Sequence, residues 1–361
     1  MNSSIEGLEV IPLPPPDTPE PEGYPAHMAS GNKTIIYAAL VGNSLISITK
    51  FVAASITGSS AMMAEGIHSL VDTGNQGLLL FGIKKAQAPA DARHPFGHGK
   101  EIYFWSFVVA ILIFALGSGI SLYEGFHRIM HPEPVTSPMV NYVVLVLAMI
   151  FEGVAWYMAY KEFRRFQGPR SLPAAVQASK DPTTFVVLFE DTAALLGLAV
   201  AFVGLVLNQW LEMPIFDGIA TLCIGVILAF TAVWMAVRTK SLLIGEAADP
   251  KLIADVRTRA AEVDAIVSVN EVLTLHMGPN FILLNVSVDF RDELHAGDVE
   301  KAIDRLTREI RAAHPDVKRV FMEAECRVAA AKAAAAVKAE AEAGPSAADQ
   351  ANEADETDET V

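Results

Sequence analysis

Six stretches of the chain stay apolar for about the 20 residues that a helix needs to cross a bilayer. They fall at roughly residues 34–56, 60–83, 102–124, 139–161, 183–207 and 214–236. Thr57-Gly58-Ser59-Ser60 makes a tight turn between the first two, and a short link around Asn208–Pro214 joins the last two. From about Gly245 the period changes. Pro250–Val263 sets Leu252, Ile253, Val256 and Ala260 on one helical face, and Asp298–Ala313 does the same with Val299, Ile303, Leu306 and Ile310. Val267–His276, Phe281–Phe290 and Val317–Glu323 read as strands, the first two separated by Gly278-Pro279-Asn280. The predicted fold class is a membrane all-α domain of six transmembrane helices, followed by a small cytoplasmic α+β domain.

Charge orients the spans. Lys84, Lys85, Arg93 and Lys100 follow the second span. Lys161, Arg164, Arg165, Arg170 and Lys180 follow the fourth, and Arg238 and Lys240 follow the sixth. The loops on the other side carry Arg128 alone. Cytoplasmic loops collect Lys and Arg, so both termini are expected in the cytoplasm. The domains expected are a disordered Pro-rich acidic lead (1–32), a six-helix transmembrane domain (33–240), a small α+β domain (245–327) of a size that favours dimerisation, and a disordered Ala- and acid-rich tail (328–361).

Composition changes that picture little. The formal charge is −15. Residues 1–31 hold five acids and no Lys or Arg, and residues 329–361 hold eight acids and two Lys, so these ends account for −11 of it. An acidic excess argues against nucleic acid, which needs clustered Lys and Arg to release counterions. Cys223 and Cys326 are the two cysteines, far apart, and define no disulfide framework. The start lacks the basic and apolar blocks of a signal peptide.

The chemistry lies in the ionisable residues inside the spans. Such a group costs roughly 2.5–3.5 kcal/mol at mid-membrane on insertion scales, so it normally faces a cavity or a partner. In the second span His68 and Asp72 are four apart and share a helix face, with Glu65 nearly on it and Gln76 extending the stripe. An imidazole and a carboxylate one turn apart are two of the four ligands of a tetrahedral zinc site. The plain alternative is a polar pair joining helices. The fifth span offers Glu190 and Asp191. Asp72 lies roughly 18 Å from the outer end of its span and Glu190 roughly 10 Å from the inner end of its own, by helical rise. In a core about 30 Å thick both fall in the inner-middle zone. Glu152, Lys50 and Asp217 read as helix-packing partners or lining groups.

The loop after the second span runs Asp91-Ala92-Arg93-His94-Pro95-Phe96-Gly97-His98-Gly99-Lys100. Asp91, His94 and His98 offer one oxygen and two imidazoles, a donor set suited to zinc or a similar borderline ion. The alternative is a structured turn that anchors the third span.

Taken together, these features resemble the cation diffusion facilitators over about residues 33–327. The specific elements are the loop motif and the run Glu65-Gly66-Ile67-His68-Ser69-Leu70-Val71-Asp72-Thr73-Gly74-Asn75-Gln76. That run, with Leu188-Phe189-Glu190-Asp191-Thr192-Ala193-Ala194, looks most like the zinc-transporter-nine-like branch. The resemblance implies a homodimer that moves Zn²⁺ or a related ion out of the cytoplasm in exchange for protons. It implies a membrane site with two ligands from the second span, matched by His68 and Asp72. It also implies two from the fifth, a His or Asp followed four residues on by Asp. Aligning Asp191 with the last ligand puts Val187 at the other position, and aligning Glu190 puts Val186 there. One ligand of the pattern is missing, and Glu190 is the adjacent replacement. Asp91, His94 and His98 match the loop site of some bacterial members. His276, His295, Glu323 and Glu325 show no close spacing and read as ordinary surface residues.

The function expected is proton-coupled antiport of a divalent metal by alternating access, in an integral, multi-pass protein of a bacterial inner membrane. The metal is the substrate, Zn²⁺ first, with Fe²⁺, Mn²⁺, Co²⁺ and Ni²⁺ compatible with the same donors, and no organic cofactor is expected. The alternative is a membrane protein that senses or scaffolds metal without transporting it. An intramembrane metallohydrolase would need a His-Glu-x-x-His run, which the sequence lacks.

Overall fold

The computed structural model describes residues 26–135, 137–167 and 171–328, together with 331, 332 and 335. Most of the expected Pro-rich lead (1–32) and of the acidic tail (328–361) lies outside them. The chain divides into two compact units. One takes residues up to 165 with 183–236, and the other takes 166–182 with residues from 237 on.

The first unit is a helical bundle. α1 (Ala26–Thr57) starts eight residues before the expected span, inside the stretch assigned to the lead. α2 (Ser60–Ala86) follows a turn in which Gly58 takes a positive φ of 67° and Ser59 caps the new helix, its hydroxyl accepting from Met62 N at 3.2 Å. α3 (Glu101–Leu112), a π-helical segment (Ile113–Ser118) and α4 (Gly119–Met130) form one continuous rod. α5 (Pro138–Gln167), α7 (Pro182–Leu211) and α8 (Ile215–Ile244) complete the long helices. Four of these stretches are long and apolar enough to cross a membrane: Glu101–Met130, Pro138–Lys161, Phe185–Leu211 and Ile215–Ile244. α2 has the length but carries Glu65, His68, Asp72, Asn75 and Gln76 through its middle.

Burial in this bundle is inverted relative to a protein dissolved in water. Leu45, Ile48, Val52 and Ile56 lie exposed along α1, and Met139, Val143, Ile150, Phe151, Val154 and Met158 along α5. Lys50, Glu65, His68, Asp72, Glu152, Glu190 and Asp217 are buried. Lipid tails solvate the first set, and the second must find partners inside.

The second unit opens with a short helix that the sequence reading left as connecting chain, α6 (Leu172–Ala178). The rest follows expectation to within a few residues: α9 (Pro250–Ala261), β1 (Ile266–Gly278), β2 (Phe281–Phe290), α10 (Ala296–Ala313) and β3 (Val317–Ala324). β1 pairs antiparallel with β2, and β2 pairs parallel with β3. Val256, Ala260, Leu306 and Ile310 of the helices pack with Val272, Leu284, Val286 and Val288 in one core.

Candidate functional site

α2 and α7 bring the sequence-predicted residues together. Burial of the α2 face that carries Glu65, His68, Asp72 and Asn75 forces these polar groups inward. His68 Nδ1 lies 3.2 Å from Asp72 Oδ1, as i,i+4 spacing requires. Glu190 of α7 accepts a 2.7 Å hydrogen bond from Asn75 Nδ2, and its carboxyl meets that of Asp72. Asp191 is buried beside Glu190, and no hydrogen bond reaches it among the described residues. Both ring nitrogens of His68, Asp72 Oδ1, Asn75 Oδ1 and Gln76 Oε1 are buried without a hydrogen-bond partner. A buried polar atom left unsatisfied costs about 1–3 kcal/mol, so this concentration marks a place shaped for something else.

Lys50 and Glu65 have a different job. Lys50 Nζ donates to Glu65 Oε2 at 3.0 Å and to Ser69 Oγ at 2.8 Å, with both charged side chains fully buried. Gly197 of α7 makes room for this pair, since a Cβ there would clash with Glu65 Oε1. The packing role expected of Lys50 is therefore met, and Glu65 is its partner. Asp217 is likewise an anchor: it accepts from Ser59 Oγ (2.6 Å), Ser60 N (2.7 Å) and Ser60 Oγ (2.7 Å), with Arg128 Nε at 3.7 Å. Arg128 also bonds the Gly58 carbonyl and Glu133. Asn75 was not singled out in the sequence, although its place one turn beyond Asp72 was the signal for it.

The loop between α2 and α3 gathers its three residues. The Asp91 carboxylate accepts from the backbone N–H groups of Arg93 (2.8 Å) and His94 (2.6 Å), a side-chain-closed turn, and Gly97 completes the bend at φ 81°. His94 Nδ1 is 3.3 Å from Asp91 Oδ1 and His98 Nε2 is 3.2 Å from Asp91 Oδ2. The three ligand atoms lie within 4.8 Å of one another, and this is the one such His/Cys/Asp/Glu cluster of three or more among the described residues. The membrane set therefore does not close to that distance. The His94 N–H, then the His98 ring and the Arg93 N–H, hold the Asp91 carboxyl below the usual carboxylate range.

One expectation is corrected in the second unit. His276 is not a surface residue: it is 4% exposed, under Gly278 O at 3.3 Å, and burial lowers its imidazole below the ordinary value. The reason is that β1 turns this position toward the core side of the sheet. His295 and Glu323 are exposed as expected, and Glu325 accepts from Ser287 Oγ at 3.0 Å.

Residues 36–244 match the family described as the cation efflux transmembrane domain. The mitochondrial proton-coupled zinc antiporter SLC30A9 of Homo sapiens is 30% identical over 262 residues, which is 72% of this chain and 46% of that protein. Metal tolerance protein C4 of Arabidopsis thaliana is 29% identical over 261 residues, 72% of this chain and 57% of that protein. The cation-efflux pump FieF of Escherichia coli O127:H6 is 23% identical over 292 residues, 81% of this chain and 92% of that protein. The chain spans about half the length of the zinc antiporters it matches.

Proposed function

The chain belongs to the cation efflux family, and on that premise we propose that this integral membrane protein carries a divalent metal ion, Zn²⁺ first, across the bilayer in exchange for protons. The observation that carries the reading is the meeting of Asp72 and Glu190 beside an imidazole that makes no hydrogen bond, its Nδ1 standing 3.2 Å from Asp72 Oδ1. Two ligands of a tetrahedral zinc ion, each about 2.0–2.1 Å from the metal, stand roughly 3.3 Å apart. The His68–Asp72 separation of 3.2 Å is close to that spacing.

Charge supplies the coupling. Lys50 is committed to Glu65, and among the described residues no Lys or Arg pairs with Asp72, Glu190 or Asp191. Several carboxylates cannot all stay ionised and unpaired in a low-dielectric interior. Protons or a dication must neutralise them, and the two compete for the same oxygens. A proton gradient would then drive metal release on the side where protons enter. α1 and α2 join the four apolar rods as the remaining spans, and the basic loops set both termini in the cytoplasm. A homodimer is supported by Val267, Leu273 and Phe321, which stand exposed on a small domain. The Asp91–His94–His98 loop would hold a second ion, since its donors already converge.

The test is ion flux in proteoliposomes under an imposed pH gradient, with Zn²⁺, Mn²⁺, Co²⁺ and Ni²⁺ compared. Wild type should move at least one of them, and His68→Ala, Asp72→Ala and Glu190→Ala should lose most of that flux. Metal binding with no flux under any gradient would instead favour a sensing or scaffolding role.

A further inference from the structure

Glu152 is the one buried acid of the bundle to which the reading above gives no part. It sits on α5, whose inward stripe runs Asn141, Leu145, Ala148 and Glu152 at helical spacing. The residue is 4% exposed, and among the described residues no hydrogen bond or ion pair reaches its carboxylate. Neighbours on α5 do have partners: Tyr142 donates to Gln209 at 3.0 Å, and Trp156 Nε1 donates to Thr192 Oγ1 at 2.9 Å. Those two bonds fix α5 antiparallel to α7, and interpolating between them sets Glu152 opposite the turn around Gly197. Gly197 in turn faces Glu65 of α2. His68 is one turn from Glu65 along α2, so Glu152 stands within about one helical turn of its level.

An unpaired carboxylate in that position is costly unless something cationic visits it. Lys50 is fully used by Glu65 and Ser69. His68, at about the same depth, makes no hydrogen bond through either ring nitrogen, and its Nδ1 already stands 3.2 Å from Asp72 Oδ1. We propose that Glu152 of α5 is an ion-contacting carboxylate, holding a divalent cation jointly with His68 as the ion passes through the bundle. The inference rests on the reading of the bundle as a metal carrier. It adds a third helix, and one more carboxylate oxygen, to the α2–α7 site.

The experiment uses the full chain in detergent, in a His94→Ala/His98→Ala background that removes the loop donors. Zinc and manganese binding are measured by calorimetry, and melting temperature is measured with and without metal. Glu152→Gln should weaken zinc binding at least about tenfold, the size seen when a group supporting a metal site is lost. Its metal-free melting temperature should equal or exceed the parent's, because a like charge has left an acidic cluster. A residue that served only packing would lower that temperature and leave affinity alone. Zinc affinity within about twofold of the parent would overturn the proposal. If the glutamine variant does not fold, Glu152→Asp decides. A change of about threefold or more in zinc-over-manganese preference supports direct contact, and an unchanged preference overturns it. If Asp72→Ala abolishes binding while Glu152→Gln preserves it, the inference alone falls. If the parent binds no dication at all, the carrier reading falls with it.

Discussion

Replacing Lys50 with methionine keeps most of the side-chain volume and removes one charge. It leaves Glu65, fully buried, facing Ser69 and the space beside Gly197 with no counter-ion. At 3.0 Å and an effective dielectric of about 20, the lost attraction is about 5 kcal/mol. Breaking a buried pair typically costs about 3–5 kcal/mol, because the surviving charge is stranded. Both routes lead to the same expectation: Lys50→Met should lose about 3–5 kcal/mol of stability, read from denaturant titration in mixed micelles. Replacing both partners should restore most of it, since an apolar pair of similar volume is often neutral or better than the ions. Lys50→Met/Glu65→Leu should therefore recover to within about 1–2 kcal/mol of wild type. It should also bind zinc as wild type does, because neither residue is assigned to the metal. Two results would refute the reasoning. A double variant as unstable as the single one would show that the cost was not electrostatic. A stable double variant that no longer binds zinc would make Glu65 a ligand rather than a structural anion.

Three further outcomes follow from local geometry. Gly197→Ala would press a methyl group against Glu65 Oε1 and should cost about 1–3 kcal/mol in the same titration, as overpacking does. Removal of the loop donors by Asp91→Ala or His98→Ala should lower the zinc stoichiometry by one ion per chain in equilibrium dialysis and leave the interior site filled. The third outcome concerns pH. Burial lowers the His276 imidazole in the folded domain, so below about pH 6.5 the unfolded chain binds a proton that the folded one does not. The second unit should therefore be most stable above about pH 6.5 and weaken as pH falls, by at most about 1.4 kcal/mol per pH unit for one proton. Hydrogen exchange of β1 and β2 amides at pH 7.5 and 5.5 reads this. His276→Leu should flatten the dependence, and an unchanged slope would exclude His276 as its source.

The sequence alone carried a large share of this protein. Apolar run length located the long helices, although α1, α5 and α8 run six to eight residues beyond the apolar stretches, and the change of period near Gly245 placed the small sheet to within a few residues, because hydrophobic periodicity is a local property that burial later respects. The i,i+4 pair His68–Asp72 and the short-range Asp91–His94–His98 cluster were legible for the same reason: a helix turn or a tight loop brings such residues together whatever the rest of the chain does. What the tertiary structure alone decided is the pairing of charges between helices. Lys50 with Glu65, Asn75 with Glu190, and Asp217 with Ser59 and Ser60 are each set by which rods pack side by side. No spacing along one helix encodes that choice. His276 makes the same point, since strand alternation with bulges, not its neighbours in sequence, turned it inward. An acid inside a bundle becomes a ligand, a strut or a stranded charge according to what stands across from it, and that is a long-range fact.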